Sequence, residues 1–144
     1  KLPTPPTPAP SPDQAREDTL EALRNVPGLD ATRGLQTLRG KLPSYLRLLG
    51  VFVTTHGDDH LKINAALANH AIPDAKQITH ALKGVSGTLG LTGIYQAALA
   101  LDDALKGPAT TPEISRLQIA LSNQMQETEI GLAQILDVTE THPS

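Results

Sequence analysis

Between Asp74 and Ile135 apolar residues return every three or four positions, in stretches punctuated at Gly90, at Gly107-Pro108 and at Pro112. That recurrence belongs to helices with one buried face. No stretch of the chain sustains the alternation that a half-buried strand needs. The core must also be built almost without aromatic rings, because Phe52, Tyr45 and Tyr95 are the whole aromatic set of 144 residues. Leu, Ala and Ile are left to do the packing, which suits helices better than a β-sandwich.

The punctuation divides the chain further. Five of the first ten residues, KLPTPPTPAP, are proline; such a run favours extended polyproline II and buries no core, so residues 1–10 read as a linker with another domain upstream. Its use as an SH3-type ligand is the competing reading. Ser11-Pro12 places an N-cap before a proline at the first helical position, and Leu20 and Leu23 mark a stripe that ends near Val26-Pro27-Gly28. Asp30 caps a second short helix running to about Leu38 and stopped by Gly40. From about Pro43 a long helical pattern runs towards His70, with Gly57 a point of kinking or breakage. Three more helices follow, at about 74–89, 92–106 and 113–138. Long helices joined by short connections predict an all-α antiparallel four-helix bundle with one or two short extra N-terminal helices. The domain spans 11–138 and is followed by a tail, 139–144.

Several functions are argued against. The formal net charge is −3, and no dense Lys/Arg patch interleaves with aromatics, which points away from nucleic acid. Without cysteine there is no disulfide, thiolate zinc site or cysteine nucleophile. No apolar run approaches the roughly 18 to 20 residues that cross a bilayer, and no signal peptide is evident. The chain opens at Lys1 and reads as a piece of a longer protein working in the cytoplasm, without direct membrane contact. No Walker loop or kinase catalytic sequence is present, and no nucleophile elbow accompanies Ser86 and Thr88.

The chemistry concentrates in Asp74–Gly90, DAKQITHALKGVSGTLG. At about 100° per residue, Ala75, Ile78, Leu82, Val85 and Leu89 share one face, and His80, Lys83, Gly84 and Gly87 share the other. His80 is therefore expected in solvent with Lys83 one turn ahead. Each interior helical glycine costs about 1 kcal/mol relative to alanine. Because this pair faces away from the expected core, clearance for a partner explains it better than helix packing. Gly90 reads as the residue that ends the helix. A neutral exposed imidazole has one nitrogen free to attack phosphorus while the other donates a hydrogen bond, and Lys83 is placed to offset charge on phosphoryl oxygens. Phosphoryl transfer asks mainly for positioning and charge stabilisation.

The string His80-Ala-Leu-Lys83-Gly84-Val-Ser-Gly87-Thr-Leu-Gly90 resembles the signature of histidine-phosphotransfer (HPt) domains, in which H-x-x-K-G is followed by further small residues. The resemblance extends over roughly residues 29–138, through Leu29-Asp30, the Tyr45…Leu48-Leu49…Phe52 pattern and the helix after the motif. It implies a bundle with an exposed histidine midway along one helix, carrying phosphate between receiver-domain aspartates without kinase activity of its own. By position it makes His80 the phosphorylated residue, Lys83 its helper at the phosphate, and Gly84 the clearance position; partner docking is expected to centre on the face that holds Gly84 and Gly87. Asp102 corresponds to an acidic or amide residue that contacts the histidine ring in several relatives. It lies at the edge of the Leu91–Ile94–Ala98–Leu101–Leu105 stripe, and a solvated aspartate is the alternative. The expected partners are receiver domains of a parent hybrid sensor kinase and of a response regulator, whose own metal ion assists transfer. The domain itself is expected to be a monomer with no cofactor and no metal.

Two other readings remain at this point. One is a helical adaptor that docks a receiver without carrying phosphate. The other is a metal-binding bundle using His56 and His60 at i, i+4 with Asp58 and Asp59 beside them, a spacing that a break at Gly57 would spoil. His70 is expected at a helix end and His142 in the tail.

Overall fold

The computed structural model describes residues 11–140, with side-chain surroundings as far as Leu136. The expectations for residues 1–10 and for the last four residues of the tail lie outside the described residues. Among the described residues seven helices follow in order: α1 Pro12–Arg24, α2 Ala31–Thr37, α3 Leu42–His56, α4 Asp59–Ala68, α5 Ile72–Leu89, α6 Thr92–Lys106 and α7 Thr111–Glu140. No strand occurs among the described residues.

The local signals act as read. Ser11 Oγ accepts from the Gln14 N–H at 3.1 Å, and Asp30 Oδ1 accepts from the Arg33 N–H at 3.1 Å, each satisfying an otherwise orphaned helical donor. Gly90 ends α5 at φ 75°, where a left-handed conformation favours glycine. The long pattern from Pro43 to His70 is broken into α3 and α4 at Gly57-Asp58. A Cβ at Gly57 would meet the Val53 carbonyl and, at 2.5 Å, Glu129 Oε1, so the bend brings this backbone close against α7.

α5 packs on α6, α6 on α7, and α4 on both α5 and α7, which closes a four-membered ring. Its connections are short, from Ala68 to Ile72, Leu89 to Thr92 and Lys106 to Thr111, so successive helices run antiparallel. Every member supplies the core: Ile63 from α4, Leu82 from α5, Ile94 and Leu101 from α6, and Leu121, Met125 and Leu132 from α7, all essentially without exposed surface. α3 extends the α4 limb with Tyr45, Leu49 and Phe52 inward.

The buried seam of α5 is turned slightly from the predicted stripe. Ala75, Thr79, Leu82, Ser86 and Leu89 are buried, while Ile78 and Val85 lie on its partly covered flank. Steps of four and three residues make a bundle seam. The two hydroxyls tolerate burial because Thr79 donates to the Ala75 carbonyl at 2.7 Å and Ser86 to the Lys83 carbonyl at 3.1 Å.

The N-terminal helices hold the end of α5. The Asp30 N–H donates to the Gly90 carbonyl at 2.7 Å, and the buried Tyr45 hydroxyl donates to the Leu89 carbonyl at 2.7 Å. Burial, with the Asp30 charge adding, pushes the Tyr45 phenol well above its ordinary value, so it stays a donor. Gly34 lies against both; a Cβ there would overlap the Leu89 carbonyl and the Tyr45 ring. This clamp fixes how far α5 is rotated in the bundle, and so which residues it turns outward.

Candidate phosphotransfer site

His80 lies midway along α5 with 68 % of its side chain exposed, on the face opposite Ala75, Leu82 and Leu89. Gly84, one turn on, borders open space: a Cβ built there meets nothing within 4 Å. Gly87 is different. Its Cβ would come within 3.1 Å of Tyr95 Cδ1 and 3.2 Å of Cε1, so close packing of α6 accounts for this glycine. The expectation that clearance alone explains both glycines is corrected at Gly87, which shares the patch with His80 but is flanked by an aromatic ring.

Beneath this surface lies Asp102 of α6, with no exposed side-chain area. The solvated-aspartate alternative is therefore corrected. Lys83 Nζ donates to Asp102 Oδ2 at 2.9 Å, and Lys106 Nζ donates to the same oxygen at 2.8 Å. His80 Nδ1 stands 3.9 Å from that oxygen, too far for a hydrogen bond but within ion-pairing distance if the ring is charged. A lone buried carboxylate would be strongly disfavoured in its charged form. Here burial pushes the Asp102 pKa up, but the hydrogen bonds and charges of Lys106 and Lys83 outweigh it and hold the carboxyl below its usual value. Reciprocally, the Asp102 hydrogen bond raises the Lys83 ammonium above its ordinary value against the opposing effect of burial. The site is an anion with two cations, set under a ring that faces solvent.

Sequence reasoning placed His80, Lys83 and Gly84 on one face and singled out Asp102, and the fold brings all four together. It missed Lys106, although the i, i+4 spacing from Asp102 on a predicted helix is an ion-pair signal. It also left Asp103 on the surface, where it is. On one side of Gly84 an apolar groove of about 350 Å³ runs between α3 and α5, lined by Leu48, Val51, Phe52, Val85 and Leu89 among others. On the other side lies an open hollow lined by Arg33, Thr37, Lys83, Thr88 and Tyr95.

The other histidines do not form a comparable site. The break at Gly57 puts His56 and His60 on different helices. His56 Nδ1 pairs with Asp59 Oδ2 at 2.7 Å and its ring stacks on Phe52 with centroids 5.5 Å apart. His60 is buried. Among the described residues no group of three or more His, Cys, Asp or Glu side chains is arranged to hold a metal ion. His70 follows α4 in a left-handed turn at φ 59°, and His142 lies outside the described residues.

One helix of the bundle thus presents an exposed histidine over a buried carboxylate, with clearance a turn away. The Hpt domain family model matches residues 47–135, more than half of the chain, and the chain belongs to this family. Hpt domains serve histidine phosphotransfer in phosphorelay signalling and interact with receiver domains of two-component systems. The match runs from α3 into α7 and leaves α1 and α2 outside it. No curated protein and no solved structure matches the chain significantly. None of the described helices is long and apolar enough to cross a membrane.

Proposed function

We propose that this chain accepts a phosphoryl group on His80 from a receiver-domain aspartate and passes it to the aspartate of a second receiver. The observation that carries the reading is an exposed ring whose Nδ1 stands 3.9 Å from a buried carboxylate oxygen. With Nδ1 on the Asp102 side, Nε2 is the ring nitrogen left to act as nucleophile, and the tautomer that transfer uses carries its proton on Nδ1. In the transfer, an Nε2–P bond forms as the acyl-phosphate P–O bond of the donor breaks. The Nδ1 proton stays on the ring, which becomes cationic above the Asp102 charge. The receiver contributes its own aspartate and metal ion, so the carrier supplies nucleophile, charge and docking surface.

The docking surface is the Gly84 clearing with the α3–α5 groove as its apolar rim, and Gly87 belongs to its edge. Donor and acceptor use it in turn, which calls for a modest, transient interface. Residues 11–138 form the transfer domain, tethered by residues 1–10 to the receiver of a hybrid sensor kinase in the cytoplasm. It acts as a monomer.

Incubation with a phosphorylated receiver tests the reading. Wild-type protein should take up an acid-labile, base-stable phosphate, and His80→Gln should take up none while keeping its fold. Labelling that survives His80→Gln rejects the site.

A further inference from the structure

Asp102 is held by two lysines, where one would be enough to pair it. Lys83 Nζ and Lys106 Nζ both reach Oδ2, at 2.9 and 2.8 Å, yet they come from different helices and differ in exposure. Lys83 lies on α5 beside His80 and is 21 % exposed; Lys106, in the last turn of α6, is 53 % exposed. Only Lys83 shares the His80 helix face.

In the unphosphorylated protein Lys83 is therefore committed to a carboxylate. To offset charge on a phosphoryl group at Nε2 it must turn away from Asp102. If Lys83 were the only partner, that movement would strand a fully buried carboxylate, which is strongly unfavourable. With Lys106 in place the carboxylate keeps one charge-assisted hydrogen bond throughout.

We infer that Lys106 is a positioning residue for phosphotransfer: by holding Asp102 on its own, it frees Lys83 to leave the carboxylate and follow the phosphoryl group. This rests on His80 being the phosphorylated residue, and it adds a role for a side chain that never touches the phosphate. Lys106 acts on Lys83 through Asp102, so its effect requires the carboxylate to be present.

The test is a double-substitution cycle, with phosphotransfer from a phosphorylated receiver followed in single turnover and folding checked by thermal melts. Lys106→Met should slow transfer about tenfold. Lys106→Arg, which keeps a charge able to reach Asp102, should stay within about twofold of wild type. In an Asp102→Asn background, which leaves no carboxylate to hold and frees Lys83 already, adding Lys106→Met should produce no further slowing. Wild-type rates in Lys106→Met overturn the inference, as does an equal slowing by Lys106→Met in the wild-type and Asp102→Asn backgrounds, which would mark a structural role. Wild-type protein that takes no phosphate overturns the His80 reading and this inference with it, whereas labelled wild type beside an unimpaired Lys106→Met overturns this inference alone.

Discussion

Asp102 Oδ2 lies 3.9 Å from His80 Nδ1, a carboxylate without exposed surface facing a ring that is two-thirds in solvent. The pair spans two helices, and the lysines that neutralise the carboxylate come one from each. The charge of the site is thus stored under the surface while its nucleophile stays on top of it.

Removing that charge has a structural cost. Asp102→Asn should lower stability by about 1–3 kcal/mol, the usual consequence of disrupting a buried polar network. Both lysines reach solvent, so the fold should survive, as denaturant titration would show. An unchanged midpoint and slope would mean that the carboxylate contributes nothing to the bundle.

The pH dependence of that difference follows from two shifts. The Asp102 carboxyl is held below its ordinary 3.8, so its contribution is present above the usual carboxylate range and is lost as pH falls through the lowered value. The Lys83 ammonium is raised above 10.5, so its contribution is present below the usual lysine value and is lost as pH rises through the raised one. The stability gap between wild type and Asp102→Asn should accordingly be flat from about pH 5 to pH 10 and should close at both extremes. Denaturation at a series of pH values checks this; a gap that widens in acid contradicts it.

The two glycines of α5 should respond differently to the same change. Gly84→Ala adds a methyl in open space and should stabilise the domain by about 0.5–1 kcal/mol. Gly87→Ala gains the same helix propensity but presses on Tyr95, so its melting temperature should stay nearer that of wild type. Gly84→Phe should fold normally and yet slow transfer by roughly a hundredfold, because it fills the approach to His80. Equal stabilisation at both positions would contradict this assignment of the two glycines.

The clamp on the end of α5 makes a separate claim. Tyr45→Phe loses one buried hydrogen bond and should cost about 0.5–1.5 kcal/mol. Gly34→Ala drives a methyl into the Leu89 carbonyl and the Tyr45 ring, and should cost more than about 2 kcal/mol. Thermal or denaturant unfolding ranks the two, and the reverse order would show that the clamp is not what holds this end.

Most helices were legible because caps and periodicity are local, although the division of the Pro43–His70 stretch into α3 and α4 was left open between a kink and a break at Gly57. Ser11, Asp30 and Gly90 each act within a few residues of themselves, and His80 fell on the exposed face from α5 alone. What depends on a second helix was not legible. The reason for Gly87 is Tyr95 on α6, and no spacing within Asp74–Gly90 reveals it. Asp102 sat at the edge of an apolar stripe, where burial or solvation turns on how α6 meets α5. Thr79 and Ser86 entered the core because the bundle seam follows three- and four-residue steps, and their hydroxyls found carbonyls on their own helix. Lys106 was within reach of sequence reasoning, since it lies one helical turn from Asp102.

The most direct test of the phosphotransfer account is the position of phosphorus on the labelled protein, read by long-range ¹H–¹⁵N and ³¹P NMR of the imidazole. The account requires one phosphohistidine, at His80, with phosphorus on Nε2 and the proton on the Nδ1 that faces Asp102. Phosphorus on Nδ1, or on any residue other than His80, would contradict it.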